Sequence, residues 1–391
     1  MTRELYDPLF HTPQENVYEI YAILRSNHPV YCNKQRNVWC LTRYADVRSA
    51  AKDWKTYGNA PGVDIDAPNY MGPGNFIDAD PPRHDVLRNV VQPFFLPKAI
   101  AEFESDFVRH VKEIIEELRE RQRVDLAQDF AWRLPIWAIS RLLGAPEEDD
   151  EMTQRVLLDV FVRHPGETSV PERAERGLAE LQAYLAELAA YKRRHPDGRV
   201  LSRMVGAEAK GAPTAEETVG MATMFFIAGS ETTYALLGNA LKVFAENPEV
   251  LHGLRQDEST ECIQAAIEET LRYETPVQYL ARTVRSSAVL DGIEIPEGAR
   301  LILVWAAANR DPDHWENPDK FDVHRPFQRH VGFGEGIHSC IGAPLPRLEA
   351  RVALPMFVRT FAEYDIGRKV RLNSHIIRGW EKLEAILVPN D

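Results

Sequence analysis

One cysteine lies among glycines in the segment HVGFGEGIHSCIGAPLPRLEAR, residues 330–351. Gly334 and Gly336 precede Cys340, and Gly342 follows it, so the sulfur has few bulky neighbours. Glycines let the backbone approach closely, and their N–H groups can then stabilise a thiolate. A helix that begins just after the cysteine would add its positive end. The pattern favours a metal-ligating thiolate, although a lone cysteine is more often a small buried apolar side chain.

The spacing of the whole segment resembles the haem-binding loop of the cytochromes P-450, the haem-thiolate monooxygenases. The matching pattern is Phe333-x-x-Gly336-x-His338-x-Cys340-x-Gly342. The resemblance implies that Cys340 is the axial thiolate ligand of the haem iron and that His338 bonds a haem propionate. It further implies that Phe333 and Gly342 lie against the cofactor on the sulfur side. An axial thiolate donates electron density to the iron and favours O–O cleavage.

A second segment, AGSETT at residues 228–233, places small, acidic and hydroxyl residues in an otherwise apolar helical pattern. Its glycine costs up to about 1 kcal/mol relative to alanine, and a bend or groove that admits dioxygen and water would justify that cost. Glu231 and Thr232 form an acid–hydroxyl pair suited to proton delivery. Taken alone, the segment is more typical of a kinked core helix whose threonine bonds its own backbone. It resembles the family's small-Gly-x-acid-Thr segment, which implies that both residues are catalytic.

A glutamate and two arginines form a further set. Glu269 and Arg272 lie three apart on a predicted helix in IEETLRYETP, residues 267–276, and therefore share a face. Such pairs are usually solvated, but the flanking isoleucine and leucine make a buried pair an equal alternative. The pair resembles the family's structural Glu-x-x-Arg pair. That resemblance implies that Arg325 in FDVHRPF completes the cluster and that the cluster holds the cysteine loop in place.

The segment DPPRHDVLR, residues 80–88, also matches the family. His84 and Arg88 lie four apart on one helical face, and the resemblance implies that both meet a haem propionate. Arg282 would be the third contact. A guanidinium is the partner expected for a buried carboxylate. For His84 and Arg282 taken singly, an ordinary surface or strand position is nearly as good an interpretation.

Helical patterns dominate the elements that carry these residues. Thr214 and Glu217 form a capping-box pattern. No proline follows until Pro248, which predicts a helix of about thirty residues, roughly 45–50 Å long. The stretches 97–121 and 172–195 also have the period of amphipathic helices. Nearly all of the chain from 83 to about 255 is therefore predicted to be helical.

Strand patterns are confined to about 28–65 and 280–305 and to the C-terminal segment IIRGWEKLEAILV. The sequence thus predicts a mainly α fold with a small β region. The resemblance covers essentially the whole chain and implies a single cytochrome P-450 haem domain over 1–391, with the haem between the long central helix and the cysteine-loop helix. That last helix departs from the family at Pro344 and Pro346, which predict a kink or a delayed start because they lack N–H donors.

The loop at 56–82 is rich in Gly, Pro, Asn and Asp and long enough to be either functional or disordered. By position in the family, the substrate pocket is lined by residues of this loop, the long helix and the strand region: Val63, Ile65, Tyr70, Met71, Phe76, Met224, Ile227, Ala228, Tyr279, Leu280 and Ile377. The set has no obvious charged anchor and favours a mainly neutral hydrophobic substrate. Half of these residues are equally well interpreted as ordinary core.

The composition argues against several other classes of protein. A net charge of -13 is unfavourable for nucleic-acid binding, which needs clustered lysine and arginine. Four cysteines without a CxxC pair indicate neither a disulfide scaffold nor a structural zinc site. The N-terminal segment lacks a signal-peptide pattern, and MATMFFIAG is too short to span a bilayer. We expect a cytoplasmic monomer that binds neither nucleic acid nor membrane.

The resemblance implies a soluble bacterial-type monooxygenase that contains haem b (iron protoporphyrin IX). Such an enzyme reductively activates O2 and inserts one oxygen atom into a small hydrophobic substrate, by hydroxylation or O-dealkylation. Because 391 residues leave no room for a fused reductase, we expect a separate ferredoxin or flavodoxin and its reductase to transfer electrons from NAD(P)H to this protein. Arg83, Lys98, Arg347 and Arg351 are candidate docking charges. A peroxide-driven peroxygenase and a non-enzymatic haem carrier or sensor remain alternatives, and neither has much use for the acid–hydroxyl pair.

Overall fold

Helices account for most of the structure. The computed structural model describes residues 4–65, 69–163, 170–209, 212–257 and 259–390. The α-helices are α1 (Pro8–His11), α2 (Val17–Asn27), α3 (Tyr44–Lys52), α4 (Arg83–Val91), α5 (Pro97–Ala101), α6 (Glu104–Arg119), α7 (Arg133–Leu143), α8 (Asp150–Val160), α9 (Glu172–Arg194), α10 (Val200–Glu208), α11 (Ala215–Glu246), α12 (Pro248–Gln256), α13 (Thr260–Tyr273), α14 (Trp305–Ala308) and α15 (Pro344–Thr360). None of these described helices combines the length and apolarity needed to cross a bilayer. The mainly α prediction is confirmed.

The strands form three small sheets. They are β1 (Val30–Asn33), β2 (Val38–Leu41), β3 (Tyr57–Gly58), β4 (Arg123–Asp125), β5 (Leu280–Val284), β6 (Ala288–Leu290), β7 (Ile293–Ile295), β8 (Arg300–Leu303), β9 (Phe361–Arg371) and β10 (Trp380–Pro389). The strand orders are β1-β2-β8-β5-β3, β4-β10-β9 and β6-β7. Strand β4 lies in the stretch predicted to be helical throughout, so that prediction is wrong there. Three residues are too few to show an alternating pattern, and β4 forms by pairing with the distant β10.

The long helix α11 begins and extends as the sequence predicts. Thr214 Oγ1 accepts the N–H of Glu217 at 3.2 Å, and the Glu217 carboxylate accepts the N–H of Thr214 at 2.8 Å. The helix then runs for 32 residues through Gly229. That glycine lies against α7, where a Cβ would be 3.2 Å from the side chain of Ile139. The absence of a side chain therefore serves the packing of two helices.

Helix α15 begins four residues after the cysteine. Pro344 is its first residue and Pro346 its third, within the turn whose N–H groups have no intrahelical acceptor. The two prolines therefore remove no helical hydrogen bond. Leu345 donates its N–H to the Gly342 carbonyl at 2.8 Å, which ties the start of the helix to the loop before it.

Candidate active site

A cavity of about 350 Å³ is bounded on one side by the middle of α11 and on another by the loop that precedes α15. Four neighbouring residues of α11 line it: Ala228, Gly229, Glu231 and Thr232. They are less buried than the residues around them because they face this space. The cysteine loop contributes Phe333, Gly334, His338 and Cys340. Two segments that the sequence singled out separately thus meet at one cavity.

Cys340 is exposed and lines this cavity. The backbone N–H of Cys340 donates to the Phe333 carbonyl at 2.8 Å and fixes the loop. Burial raises the pKa of the Cys340 thiol. Hydrogen bonds from the N–H groups of Gly342 and Ala343, and the positive charge of the nearby Arg88, oppose that rise. The loop therefore supplies hydrogen-bond donors that stabilise a thiolate. A bound cation would offset the remaining free-energy cost of burying the negative charge.

Cationic and imidazole groups line another part of the same cavity. Arg88 donates from Nη2 to the Ser339 carbonyl at 2.8 Å, and Arg282 donates from Nη1 to the Ala281 carbonyl at 2.9 Å. Burial lowers the pKa of Arg282 to about 10. Burial, together with the nearby Arg282, lowers the pKa of His338 to about 2. The His338 Nε2 atom has no hydrogen-bond partner among the described residues. This wall of the cavity therefore has many hydrogen-bond donors and few anionic groups to pair with them.

His84 lies behind His338 rather than on the cavity wall. The two rings pack edge to face with centroids 4.5 Å apart. The Nδ1 atom of His84 is 2.8 Å from the Asp85 carboxylate, whereas its Nε2 is buried and unpaired within the described part of the chain. His84 therefore adds a second buried nitrogen without an acceptor next to His338.

The acid and the hydroxyl of α11 have distinct environments. Thr232 donates from Oγ1 to the Ala228 carbonyl at 2.9 Å, which is the backbone bond anticipated for a core threonine. Because the hydroxyl donates there, its lone pairs stay available to a donor in the cavity. Burial raises the pKa of Glu231 to about 7, and the Arg163 guanidinium acts in the opposite direction. Near neutral pH this carboxyl can therefore both hold and release a proton.

The glutamate–arginine set forms a buried cluster. Arg272 bonds both oxygens of Glu269, at 2.8 Å from Nε and 2.7 Å from Nη2, with Glu269 only 5% and Arg272 only 1% exposed. Arg325 Nε lies 3.4 Å from the same carboxylate. Arg272 also donates to the Asn309 carbonyl at 3.0 Å, and the Asn309 side chain accepts the N–H of Val331 at 2.8 Å. The cluster thus connects to the start of the cysteine loop.

Comparison with known proteins agrees with this arrangement. Residues 190–363 match the model of the family described as cytochrome P-450. The chain is 35% identical over 387 residues to the putative cytochrome P-450 123 of Mycobacterium tuberculosis, which covers 97% of this chain and 95% of that protein. This chain belongs to the cytochrome P-450 family.

Two further relatives extend this result. The cytochrome P-450 monooxygenase PikC of Streptomyces venezuelae is 35% identical over 390 residues, which covers 94% of this chain and 90% of PikC. The structure of cytochrome P-450 CYP109Q5 from Chondromyces apiculatus matches with a TM-score of 0.87 at 30% identity, covering 97% of this chain and 98% of that one. As a cytochrome P-450, the chain is a haem-dependent oxidoreductase that incorporates oxygen from O2.

The cavity of this cytochrome P-450 has the chemistry that a haem requires. A thiol stands on one wall with two N–H donors directed at its sulfur. Arg282 is buried with no carboxylate at ion-pair distance among the described residues, and the nearest acid of His338, Asp80, is 4.0 Å away. Unpaired buried donors are costly unless an anion compensates them. The residues present therefore fit a prosthetic group with a metal centre and acidic side chains.

Most residues predicted for the substrate pocket do line the cavity. They are Val63, Tyr70, Met71, Phe76, Met224, Ile227, Ala228, Leu280 and Ile377. Two are wrong. Tyr279 is fully buried in a separate apolar cluster beside the five-stranded sheet, because neighbouring residues of extended backbone point to opposite sides and Leu280 takes the cavity side. Ile65 packs against that same cluster.

The cavity also has charged residues that the predicted set does not include. Asp64, Arg163 and His375 line it together with the apolar residues. The His375 Nδ1 atom lies 2.6 Å from the Tyr279 hydroxyl, and its Nε2 lies 3.7 Å from Asp64. A histidine two residues from the predicted pocket residue Ile377 was a weak signal in the sequence. Nothing in the sequence around Arg163, which follows α8, distinguishes it from a surface arginine.

The candidate docking charges are mostly neutralised by neighbouring acids. Arg347 bonds both oxygens of Glu268, at 2.6 and 2.8 Å, and its guanidinium lies 4.3 Å from the centre of the Phe333 ring. Arg351 bonds both oxygens of Glu104 at 3.0 and 2.9 Å. Arg83 is likewise paired with Glu217. Of the four, Lys98 alone is exposed and makes no ion pair within the described residues.

Proposed function

We propose that this cytochrome P-450 uses dioxygen and externally supplied electrons to insert one oxygen atom into an organic substrate with a largely apolar body, by hydroxylation or O-dealkylation. The observation that carries this proposal is that Cys340, with N–H donors to its sulfur, shares a cavity with the Glu231–Thr232 pair. Apolar residues from α7, α11 and the strand region fill most of the remaining wall. The arrangement suits a reaction at a buried metal centre from which bulk water is excluded.

The cofactor-holding residues are assigned by their chemistry. We propose that Cys340 ligates the iron, with Phe333 and Gly342 beside the sulfur, and that Arg88, Arg282 and His338 bind the propionates. His84 would orient His338 through their ring contact. When bound, haem with a thiolate ligand supplies the oxygen-activating redox chemistry. The buried Glu269, Arg272 and Arg325 are structural in this assignment, since they connect to the cysteine loop through Asn309.

Glu231 and Thr232 are proposed to deliver protons. Thr232 already donates its own hydrogen to Ala228, so its oxygen can accept a hydrogen bond from a water molecule and hold that water in the cavity. Glu231, with a pKa of about 7, can give a proton toward this site and regain it from solvent near neutral pH. The pair therefore positions a water and supplies a proton. Neither task is needed by a haem sensor or by an enzyme driven by peroxide.

The Thr232→Ala variant tests this function. A positioned proton donor contributes about 10²–10⁴-fold to a rate, so we expect most electrons consumed by the variant to leave as hydrogen peroxide. NAD(P)H oxidation, oxygen uptake and peroxide release would be measured with a surrogate ferredoxin and its reductase. Thr223→Ala is the matched control, because Thr223 makes the same backbone bond on α11, to Val219 at 2.9 Å, but does not line the cavity. Equal peroxide release by both variants would contradict the assignment.

The pH dependence of the reaction provides a second prediction. The Glu231 carboxyl has a pKa raised to about 7 and is a proton donor only below that value. We therefore expect the rate of coupled oxygen reduction to fall as pH rises through about 7, and Glu231→Gln to be slower and to lose this inflection. Glu216→Gln, an exposed acid on the same helix, is the control. An unchanged inflection in Glu231→Gln would show that another group titrates.

The electron donor is proposed to be a separate ferredoxin or flavodoxin, itself reduced by an NAD(P)H-dependent reductase. A groove of about 670 Å³ lies beside the start of α15 and is lined by Arg347, Arg351 and Phe327. Phe327 is 86% exposed, which is unusual for an aromatic side chain. Because both arginines are already paired with acids, a partner docking here would rely on apolar contact more than on net charge.

A further inference from the structure

Arg163 is a fixed cation in the wall of a mainly apolar cavity. It follows α8, and its Nη1 donates to the carbonyls of Val160 and Val162 at 2.9 and 2.8 Å. The guanidinium carbon lies 5.5 Å from the centre of the Tyr70 ring, which also lines the cavity. Both main-chain bonds come from one nitrogen, so within the described residues the other N–H groups are left for Tyr70 and for a bound molecule.

Within the described residues, Arg163 has no ion-pair partner. Asp64, an aspartate that lines the cavity, lies 3.7 Å from His375, and its backbone carbonyl accepts Nη2 of Arg300 at 2.9 Å. Glu231 is held partly protonated by its burial. No carboxylate lies at ion-pair distance from Arg163 among the described residues. A guanidinium enclosed in an apolar space is stabilised when an anion joins it.

We infer that Arg163 binds a carboxylate of the substrate, so that the enzyme oxidises apolar organic acids. This inference rests on the proposed monooxygenase function, which it deepens by naming a substrate class. The carboxylate would lie against the guanidinium beside Tyr70, and the apolar body would contact Phe161, Ile227 and Leu236. A guanidinium recognises carboxylates through paired N–H donors, which an ester or alcohol cannot engage as strongly.

A structural role for Arg163 is the competing explanation. Basic residues at a helix C-terminus commonly bond its last carbonyls, and Arg163 does so with Val160. That role predicts an effect on stability and an equal effect on every ligand. Recognition of a carboxylate predicts an effect on acids alone. Matched pairs of acid and ester therefore separate the two explanations.

The test is a binding titration of holoenzyme at neutral pH with dodecanoic acid, 4-phenylbutyric acid and their methyl esters. Wild type, Arg163→Gln, Arg163→Lys and the control Arg155→Gln would be compared by the haem spin shift and by calorimetry. Arg155 lies on α8, which ends three residues before Arg163, and its exposed side chain pairs with Glu180 outside the cavity. We expect wild type to prefer at least one acid over its ester. Arg163→Gln should weaken acid binding about 10- to 100-fold, as expected for a hydrogen bond to a charged group, and leave ester binding nearly unchanged. Arg163→Lys should recover part of the loss.

Two outcomes would overturn the inference. One is a wild type that binds neither acid more tightly than its ester. The other is an Arg163→Gln variant that weakens acid and ester equally, which would indicate capping or packing. Calorimetry does not depend on the spin state, and the carbon monoxide spectrum of the same preparation tests the thiolate-ligated haem separately. A failure of carboxylate binding by Arg163 is therefore distinguishable from a failure of the proposed monooxygenase function.

Discussion

Replacing Cys340 with serine should abolish the strongly red-shifted Soret band of the reduced carbon monoxide complex and reduce monooxygenation to background. That band depends on a thiolate opposite the carbon monoxide, and a serine hydroxyl does not replace it. Serine has nearly the same shape, so the bond from the backbone of residue 340 to Phe333 and the N–H groups of Gly342 and Ala343 should remain. The measurement is a visible spectrum of the dithionite-reduced protein under carbon monoxide.

The control is Cys262→Ser, on α13 and outside the cavity. It should keep the red-shifted band in full. If neither wild type nor Cys262→Ser has the band, or if Cys340→Ser retains it, Cys340 is not the iron ligand. The haem content of each preparation would be measured alongside, so that loss of the cofactor is not mistaken for loss of the ligand.

Replacing Glu269 with glutamine should lower the free energy of unfolding by about 3–5 kcal/mol, the usual cost of breaking a buried ion pair from one side. Glutamine keeps the size of the side chain but removes its charge, which leaves the guanidinium of Arg272, only 1% exposed, without a counterion. Arg272 also bonds Asn309, and Asn309 bonds Val331. The loss of stability should therefore extend to the cysteine loop and weaken haem retention. The readout is urea unfolding followed by both far-UV circular dichroism and Soret absorbance.

Glu261→Gln is the matched control, since Glu261 lies exposed in the first turn of the same helix. Loss of the Glu261 charge should lower the free energy of unfolding by only a few tenths of a kcal/mol, roughly the effect of an acidic residue near a helix N-terminus. A Glu269→Gln protein within about 1 kcal/mol of wild type would show that the cluster is solvated in solution and behaves like a surface pair.

Features that depend on neighbours in sequence were predictable, whereas features that depend on distant contacts were not. The capping box at Thr214 and Glu217 and the glycines around Cys340 act within a few residues, so their patterns are visible in the chain itself. Strand β4 exists only because β10 pairs with it from more than 250 residues away. The close approach of Gly229 to Ile139 likewise depends on where α7 packs against α11.

The same limit applies to the cavity. Leu280 and Ile377, which family position assigns to the substrate pocket, line the cavity, but family position could not decide which side of the backbone Tyr279 faces. Arg163 carries no sequence signal because its exposure to the cavity is set by the packing of α8 against α9 and by its contact with Tyr70. A charge that is ordinary in sequence becomes significant only when the fold encloses it.

The pairing of β4 with β10 has a consequence for biogenesis. Residues 123–125 acquire their strand partner only when residues 380–389 have been synthesised, after Cys340 has left the ribosome's active centre. At about 5–20 residues per second, roughly 2–10 s separate translation of Cys340 from translation of the strand that closes this sheet. The sheet that contains β4 therefore cannot close until residues 380–389 have been translated, later than the segment that carries Cys340.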